Sequence, residues 1–420
     1  CVTVINPKLA RIQAEGGIVQ GIGMALFEEV KETKLGKLIT NSMMQYKIPC
    51  RMDINNIIVD FADGYDATGP FGAKSIGEVV TNSVSPAIAD AVFNAVGIRI
   101  RDLPITPEKV KMLLSQILPL MGAENKCQLV NDYSFDTLGL IESETELSIC
   151  TFLDDKKYIN KLSKHIKMII TTKDIVEAIR NEIEVGNLYA GVAIADNPRG
   201  FFFELHNFLS GMSQYARPYK KTVIDPSAQI SPLAWISPDG VRIGKNVIIE
   251  PFVSIYQGTE IDSDVIIRSG ARVGGVGFEF KREGDSILAV EHSGGVKIGK
   301  HVEIQNNTCI DKAVYPWDNT VIGDYCKIDN LVHIAHAVKL EDSVMVVANS
   351  GIGGRVLVGK NTWIGFGATL KNGIRVGENS RANMGSVVTK SIKDGESVSG
   401  NFAIEHSKFI ENIKNLSNNN

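Results

Sequence analysis

From Ile298 onward, every sixth residue of this 420-residue chain is aliphatic: Ile298, Ile304, Ile310, Ile322, Ile328, Ile334, Leu340, Val346, Ile352, Val358, Ile364, Leu370, Val376 and Val388. Only Pro316 and Ala382 interrupt the series, so fourteen of sixteen positions are Ile, Leu or Val, where background composition would give about four. An earlier block keeps the same step through Ile243, Ile249, Ile255, Ile261, Ile267 and Val273, after Ile224, Ile230 and Ile236. Neither a helix of period 3.6 nor a strand of period two sustains a repeat of six. A parallel β-helix does. Each unit lays a short strand and a turn along one side of a triangular prism, and three units close one coil. The 25 units predict about eight coils. Glycine follows the aliphatic at Gly244, Gly299, Gly323, Gly359, Gly365 and Gly377, which reads as the demand of a tight corner. The phase slips by one residue beside Asp239-Gly240, and a loop of about twenty residues separates Val273 from Ile298.

The rest of the chain has other textures. The prism is expected over residues 222–402. Before it, residues 127–221 alternate apolar runs (147–152, 168–170, 190–195) with helical stretches (156–164, 174–183), a small α/β module. Residues 403–420 read as an amphipathic helix, with Ile404, Phe409, Ile410 and Ile413 on one face, and a polar tail. Residues 1–113 form a front piece of α+β character, joined by a Leu-rich linker over 114–126. The chain starts in mid-domain idiom at Cys1, and Met121-Gly122 resembles a separate start, so a fusion or a joining of two frames is expected. Forty-four Lys and Arg against 48 Asp and Glu leave no basic excess for phosphates, so no nucleic-acid partner is expected. No apolar run is long enough for a transmembrane segment. Six scattered cysteines without CxxC spacing read as reduced thiols of a cytoplasmic protein, with no metal site.

The stretch from Cys127 onward resembles the UDP-3-O-acylglucosamine N-acyltransferases of lipid A synthesis. The likeness rests on 147–158, on Gly274-Gly-Val-Gly-Phe-Glu-Phe280, on Cys309-Ile-Asp-Lys312 and above all on Ile328-Asp-Asn-Leu-Val-His-Ile-Ala-His336. It implies a left-handed β-helix working as a homotrimer, an acyl carrier protein as donor, a UDP-linked amino sugar as acceptor, and no cofactor. His336 takes the place of the family's general base and Gly354 that of its oxyanion donor. Residue chemistry agrees in part: acyl transfer needs a base for the proton released by the nucleophile and donors for the oxyanion, and Gly354 lies one coil beyond His336. Phe152, Asp155 and Tyr158 occupy the uridine positions, where two aromatics could sandwich the base; Asp155 replaces the usual Asn, and Phe152 and Tyr158 read equally as packing residues.

Other departures concern the acceptor. His333 stands where the N-acyltransferases carry Gln, whereas the related UDP-N-acetylglucosamine O-acyltransferases carry a His-Ile-Ala-His string. His333 is read as a substrate contact or as a solvated side chain. Ile374 and Ala337 depart from the family's second His and Asn. O-acylation or acetylation of a sugar hydroxyl is therefore the alternative activity, and an inactive trimeric scaffold a third. Lys281-Arg282 reads as a solvated pair or a carrier-protein contact. Gly21-Ile-Gly23 lacks the third glycine of a dinucleotide loop.

The front piece resembles the C-terminal end of the molybdenum subunit of xanthine dehydrogenase and aldehyde oxidase-like hydroxylases. Its marker is Gly69-Pro-Phe-Gly-Ala-Lys-Ser-Ile-Gly-Glu78, followed by 104–109. Glu78 falls at that family's catalytic base. Molybdopterin is not expected to be retained, since the regions that hold it are absent, so Glu78 is expected to be inactive and much apolar surface to lack a cover.

Overall fold

The computed structural model describes residues 3–33, 36–96, 100, 102–106, 110–184, 186, 188–400 and 405–418. The chain divides into two compact units: Cys1–Phe202 with Met212–Gln214, and Phe203–Gly211 with Tyr215–Asn420.

In the first unit, helix α1 (Pro7–Leu26) packs on α2 (Val79–Asn82) and α3 (Val84–Val96). Its glycines are there for contact. A Cβ on Gly17 would sit 2.1 Å from a Val80 methyl, and one on Gly21 2.5 Å from Val84 Cβ. Gly21 and Gly23 thus lie inside a helix, not in a phosphate loop. Ile5, Leu9, Ile12, Met43, Met44 and Met52 stand exposed, the uncovered apolar surface expected of this piece. Helix α4 (Leu114–Met121) leads to a five-stranded sheet of β1 (Gln128–Asn131), β2 (Thr137–Leu138), β3 (Ile149–Leu153), β4 (Ile166–Thr171) and β5 (Gly191–Ile194). Its order is β1-β5-β4-β3-β2, with only β1 antiparallel. Helix α5 (Val176–Glu184) covers one face through Val176 and Ile179.

The second unit holds the repeat. Twenty-five short strands form three parallel sheets of nine, eight and eight, the three sides of a left-handed hexapeptide prism. The sixth-residue aliphatics fill its axis, from Ile243 to Val388, almost all fully buried. Ile334 pairs with Ile352, one coil on, and Leu340 with Val358. Burying one such side chain is worth about 1.5–3 kcal/mol, so the stacked column dominates the stability of this unit.

Two details differ from the sequence reading. Pro316 is not a prism unit. Ile310 pairs with Ile334, 24 residues away, because residues 312–318 leave the prism as a loop. An insertion of six keeps the phase, so counting by sixes passes through it unseen. The second difference concerns the corners. From Tyr325 to Gly385 the left-handed residue recurs every six positions, three after the aliphatic, and is filled by Tyr325, Leu331, Ala337, Ser343, Asn349, Arg355 and Asn361 as well as by glycine. The glycine directly after the aliphatic serves another purpose. A Cβ on Gly323 would lie 2.6 Å from the backbone of Glu341 on the next coil.

Helix α6 (Pro198–Ser210) and a C-terminal helix α7 (His406–Asn418) complete the fold. α7 begins later than expected and runs through Ser417 and Asn418, which were expected to be tail. Ile404 and the side chains of Phe409 and Ile413 lie outside the described residues. Among the described residues, no helix is long and apolar enough to cross a membrane.

His206, on α6, is fully buried between Tyr215 and Tyr315. Its Nε2 lies 2.8 Å from the Glu291 carbonyl, which can only accept, so Nε2 carries the proton and Nδ1 accepts from the Tyr215 hydroxyl at 2.7 Å. Burial lowers its pKa to about 4, and burial does the same to His292, helped by the nearby His336. A lowered histidine pKa means the unfolded chain binds the proton more tightly. Stability is therefore full above about pH 6.5 and falls as pH drops toward 4. Each group adds up to about 1.4 kcal/mol per pH unit to that slope. Urea denaturation across pH 4–7 should show a shallower slope for His206→Gln than for the parent chain; parallel slopes would remove the assignment.

Candidate functional site

The loop between Val273 and the strand Gly295–Ile298 is too long to enter the prism, so it is expelled outward, where it folds into a hairpin of Phe280–Glu283 and Ser286–Ala289. Helix α6 ties down its returning arm. Asn207 donates to the Ala289 carbonyl (2.7 Å) and accepts from the Glu291 amide (2.9 Å), His206 holds Glu291, and Ser293 bonds Ser210. This strap fixes the backbone on both sides of His292.

The loop places Glu279 on the histidine singled out by the sequence. His336 lies at a corner of the prism, outside the aliphatic column, with Nε2 2.9 Å from Glu279 Oε2. Lys281 also bonds Glu279, and Arg355 approaches it at 3.8 Å. Burial pushes the Glu279 carboxyl up, but the bonds from His336 and Lys281 and the charge of Arg355 outweigh it and hold the carboxyl well below the usual carboxylate range. Glu279 is therefore a carboxylate that accepts Nε2–H, which leaves His336 Nδ1 with the free lone pair. No hydrogen-bond partner reaches that nitrogen among the described residues.

Gly354 lies beside His336 by the pairing of His333 with Gly351 and of Ile334 with Ile352. A Cβ there would be 2.5 Å from His336 Nε2 and 2.6 Å from Cε1. The left-handed residue at that corner is Arg355 (φ 60°), not Gly354. Gly354 is thus required by the imidazole, not by backbone conformation. Its N–H has no hydrogen-bond acceptor among the described residues.

His333 stands outward on its strand, half exposed, 3.7 Å from Asp311. Asp311 is buried, and burial raises its carboxyl against the charges of His333 and His336. A Cβ on Gly277 would lie 2.9 Å from Asp311 Oδ2 and 3.1 Å from His292 Nε2. The His292 ring meets that of His336 edge-on at 5.7 Å. The site thus joins Glu279, His292, Asp311, His333, His336 and Gly354. Lys281 is engaged with Glu279 rather than solvated. The sequence reading picked out His336, Gly354 and His333 but not Glu279 or Asp311. The available signal was a lone acid within an apolar, Gly-rich run, 274–280. Among the described residues no group of three His, Cys, Asp or Glu is arranged to hold a metal ion.

The α/β module residues are engaged within the module. Phe152, on β3, packs its ring 5.1 Å from that of Phe202. Asp155 caps the turn of helix Lys156–Lys161, accepting from the Lys157 amide at 2.9 Å and pairing with its ammonium. Tyr158 leans on the module core and carries Lys157 and Lys161 over its ring. In the front piece Glu78 is exposed at the start of α2, with Phe71 and Val79 exposed nearby.

The profile of the bacterial transferase hexapeptide family (six repeats) matches residues 240–275, and that of the molybdopterin cofactor-binding domain matches residues 1–55. A UDP-3-O-acylglucosamine N-acyltransferase 2 from Legionella pneumophila (strain Lens) is 45% identical over 100 residues, 24% of this chain and 29% of that protein. A UDP-3-O-acylglucosamine N-acyltransferase from Helicobacter pylori (strain HPAG1) is 29% identical over 60% of this chain and 78% of its own length. The aldehyde oxidoreductase molybdenum-binding subunit PaoC of Escherichia coli (strain K12) is 43% identical over 26% of this chain, but the match spans only 15% of that subunit. The chain thus spans under a third of the length of the first relatives it matches. Among solved structures, a UDP-N-acetylglucosamine acyltransferase from Campylobacter jejuni is 25% identical, with a TM-score of 0.37, over 43% of this chain and 70% of that one.

Sequence alone makes His336 an outward side chain whose loss costs little stability. The structure corrects this, because the loop folds over the ring and leaves it 3% exposed. His336→Ala strips a buried carboxylate of one partner, while Lys281 and Arg355 remain. The loss should be about 1–3 kcal/mol by urea denaturation; a change below about 0.5 kcal/mol would mean that Glu279 is not held by the ring.

Proposed function

We propose that the repeat part of the chain is an acyltransferase that moves an acyl group from an acyl-carrier-protein thioester to the amine of a UDP-linked glucosamine. The observation that carries this is the Glu279–His336 pair, whose ring has one unpaired nitrogen and lies against Gly354 one coil on, whose N–H has no acceptor among the described residues. The named N-acyltransferase relatives supply the substrate class. The amine nitrogen attacks the thioester carbonyl, His336 Nδ1 takes one amine proton, and the Gly354 N–H faces the oxyanion. The C–S bond then breaks, and the proton passes from His336 to the departing thiolate. Glu279 steadies the imidazolium between these transfers. Turnover with the amino-sugar acceptor is the test. His336→Ala should lower it by about 10²–10⁴-fold. Gly354→Ala should lower it by roughly 10²–10³-fold, because the new methyl drives the ring off Glu279. Near-normal rates in both variants would end this reading.

We assign the uridine end of the substrate to Phe152, Asp155 and Tyr158. O-acylation remains the second reading, favoured by His333 standing half exposed beside Asp311. We assign to this step no cofactor beyond the thioester, and a cytoplasmic location on the strength of the carrier-protein donor. We assign a homotrimer as the working state. Its support is the apolar surface beside the site: Val276 and Phe278 are 69% and 86% exposed, and Phe278 stacks edge-on with Phe280. Light scattering should give three chain masses, and Phe278→Asp should shift it toward the monomer. A fully active monomer would remove the trimer.

A further inference from the structure

His292 is a buried group of this site that the transfer step leaves unused. It is 4% exposed, and its Nδ1 lies 3.0 Å from the Val290 carbonyl. A carbonyl only accepts, so Nδ1 carries the proton and Nε2 presents a lone pair. No donor reaches that nitrogen. Burial first, and then the charge of His336, lower the His292 pKa to about 4, so the ring stays neutral and the lone pair stays available near pH 7. The strap from Asn207 and His206 to residues 289–291 fixes the backbone beside it. The second orphan nitrogen, His336 Nδ1, belongs to the neighbouring ring, 5.7 Å away between centroids.

We propose that His292 Nε2 accepts a hydrogen bond from the attacking nitrogen and thereby selects an amine over a hydroxyl acceptor. This rests on the acyl-transfer reading above and names its acceptor class. The argument is one of proton counting. A neutral primary amine has two N–H groups: one faces His336 Nδ1 and is removed, and the other faces His292 Nε2. When the C–N bond forms and the C–S bond breaks, the first proton ends on the thiolate sulfur. The second stays on the amide nitrogen and still faces His292. A hydroxyl has one O–H. If it serves the base, it leaves His292 without a donor, in a place where water does not replace one. An unpaired buried acceptor is what such a site penalises. Both nitrogens are closed off from bulk solvent.

The experiment compares kcat/KM for an amino-sugar nucleotide and its hydroxyl analogue with one acyl thioester, in the full chain and in His292→Phe and His292→Gln. Phe keeps the ring but removes the acceptor, while Gln restores an acceptor oxygen. His292→Phe should reduce the amine-over-hydroxyl ratio roughly ten- to a hundredfold, and His292→Gln should recover most of it. An equal fall on both acceptors, with the ratio held, makes His292 structural and overturns the assignment. Should His292→Phe fail to fold, the ratio in His292→Gln and in the parent chain still decides. A parent chain that uses both acceptors equally overturns the selection, while leaving acyl transfer intact. No turnover on either acceptor by the parent instead overturns the acyl-transfer reading itself.

Discussion

The aliphatic column at the prism axis governs everything else in the second unit. One inward side chain every six residues has to land on the one from the coil before, and a slip of a single residue would turn it outward. Extra residues are admitted only where the chain can leave the prism and return in phase. The chain does this at three places: by one residue beside Asp239-Gly240, over the long loop after Val273 and over residues 312–318. The long loop, expelled from the core, covers the next coils and becomes one wall of the site.

That wall changes the electrostatics of a surface histidine. Without it, His336 would stand in water at a prism corner. Beneath it, the imidazole and Glu279 share a dry contact in which Lys281 and Arg355 also compensate the carboxylate. Burial costs a charge, and the Lys281 and Arg355 cations together with the His336 Nε2–H offset that cost. The result is an imidazole with one nitrogen committed and the other unspent. The same loop brings in His292, which is neutral because it is buried and oriented because its Nδ1–H donates to the Val290 carbonyl.

The front piece obeys a different logic. Its helices pack closely enough to need glycine at Gly17 and Gly21, so it has the local order of a folded part. Yet Leu9 and Ile12 on α1 remain exposed, and Glu78 stands in solvent. A helix face that apolar is ordinarily buried. The same piece matches only 15% of the length of a molybdenum-binding subunit.

The repeat, its three-sided closure and the stacking of Gly354 on His336 were legible in the sequence. A column of inward residues is a local rule repeated, and the eighteen-residue coil follows from it. The module strands were legible as apolar runs for the same reason. Sequence could not show that Pro316 lies outside the prism, since an insertion of one whole unit leaves the period untouched. It also assigned the wrong cause to the glycines after the aliphatics, because coil-to-coil contact exists only once the coils are stacked. Glu279 and His292 fall in the stretch without periodicity, and no local rule says where an expelled loop comes to rest. Their meeting with His336 depends on hydrogen bonds from helix α6, some eighty residues earlier in the chain. The residue type at position 336 was the sequence's to give. That it is buried, paired on one nitrogen and free on the other was decided by the tertiary fold, because only burial by a distant segment can remove water from an imidazole and replace it with a carboxylate.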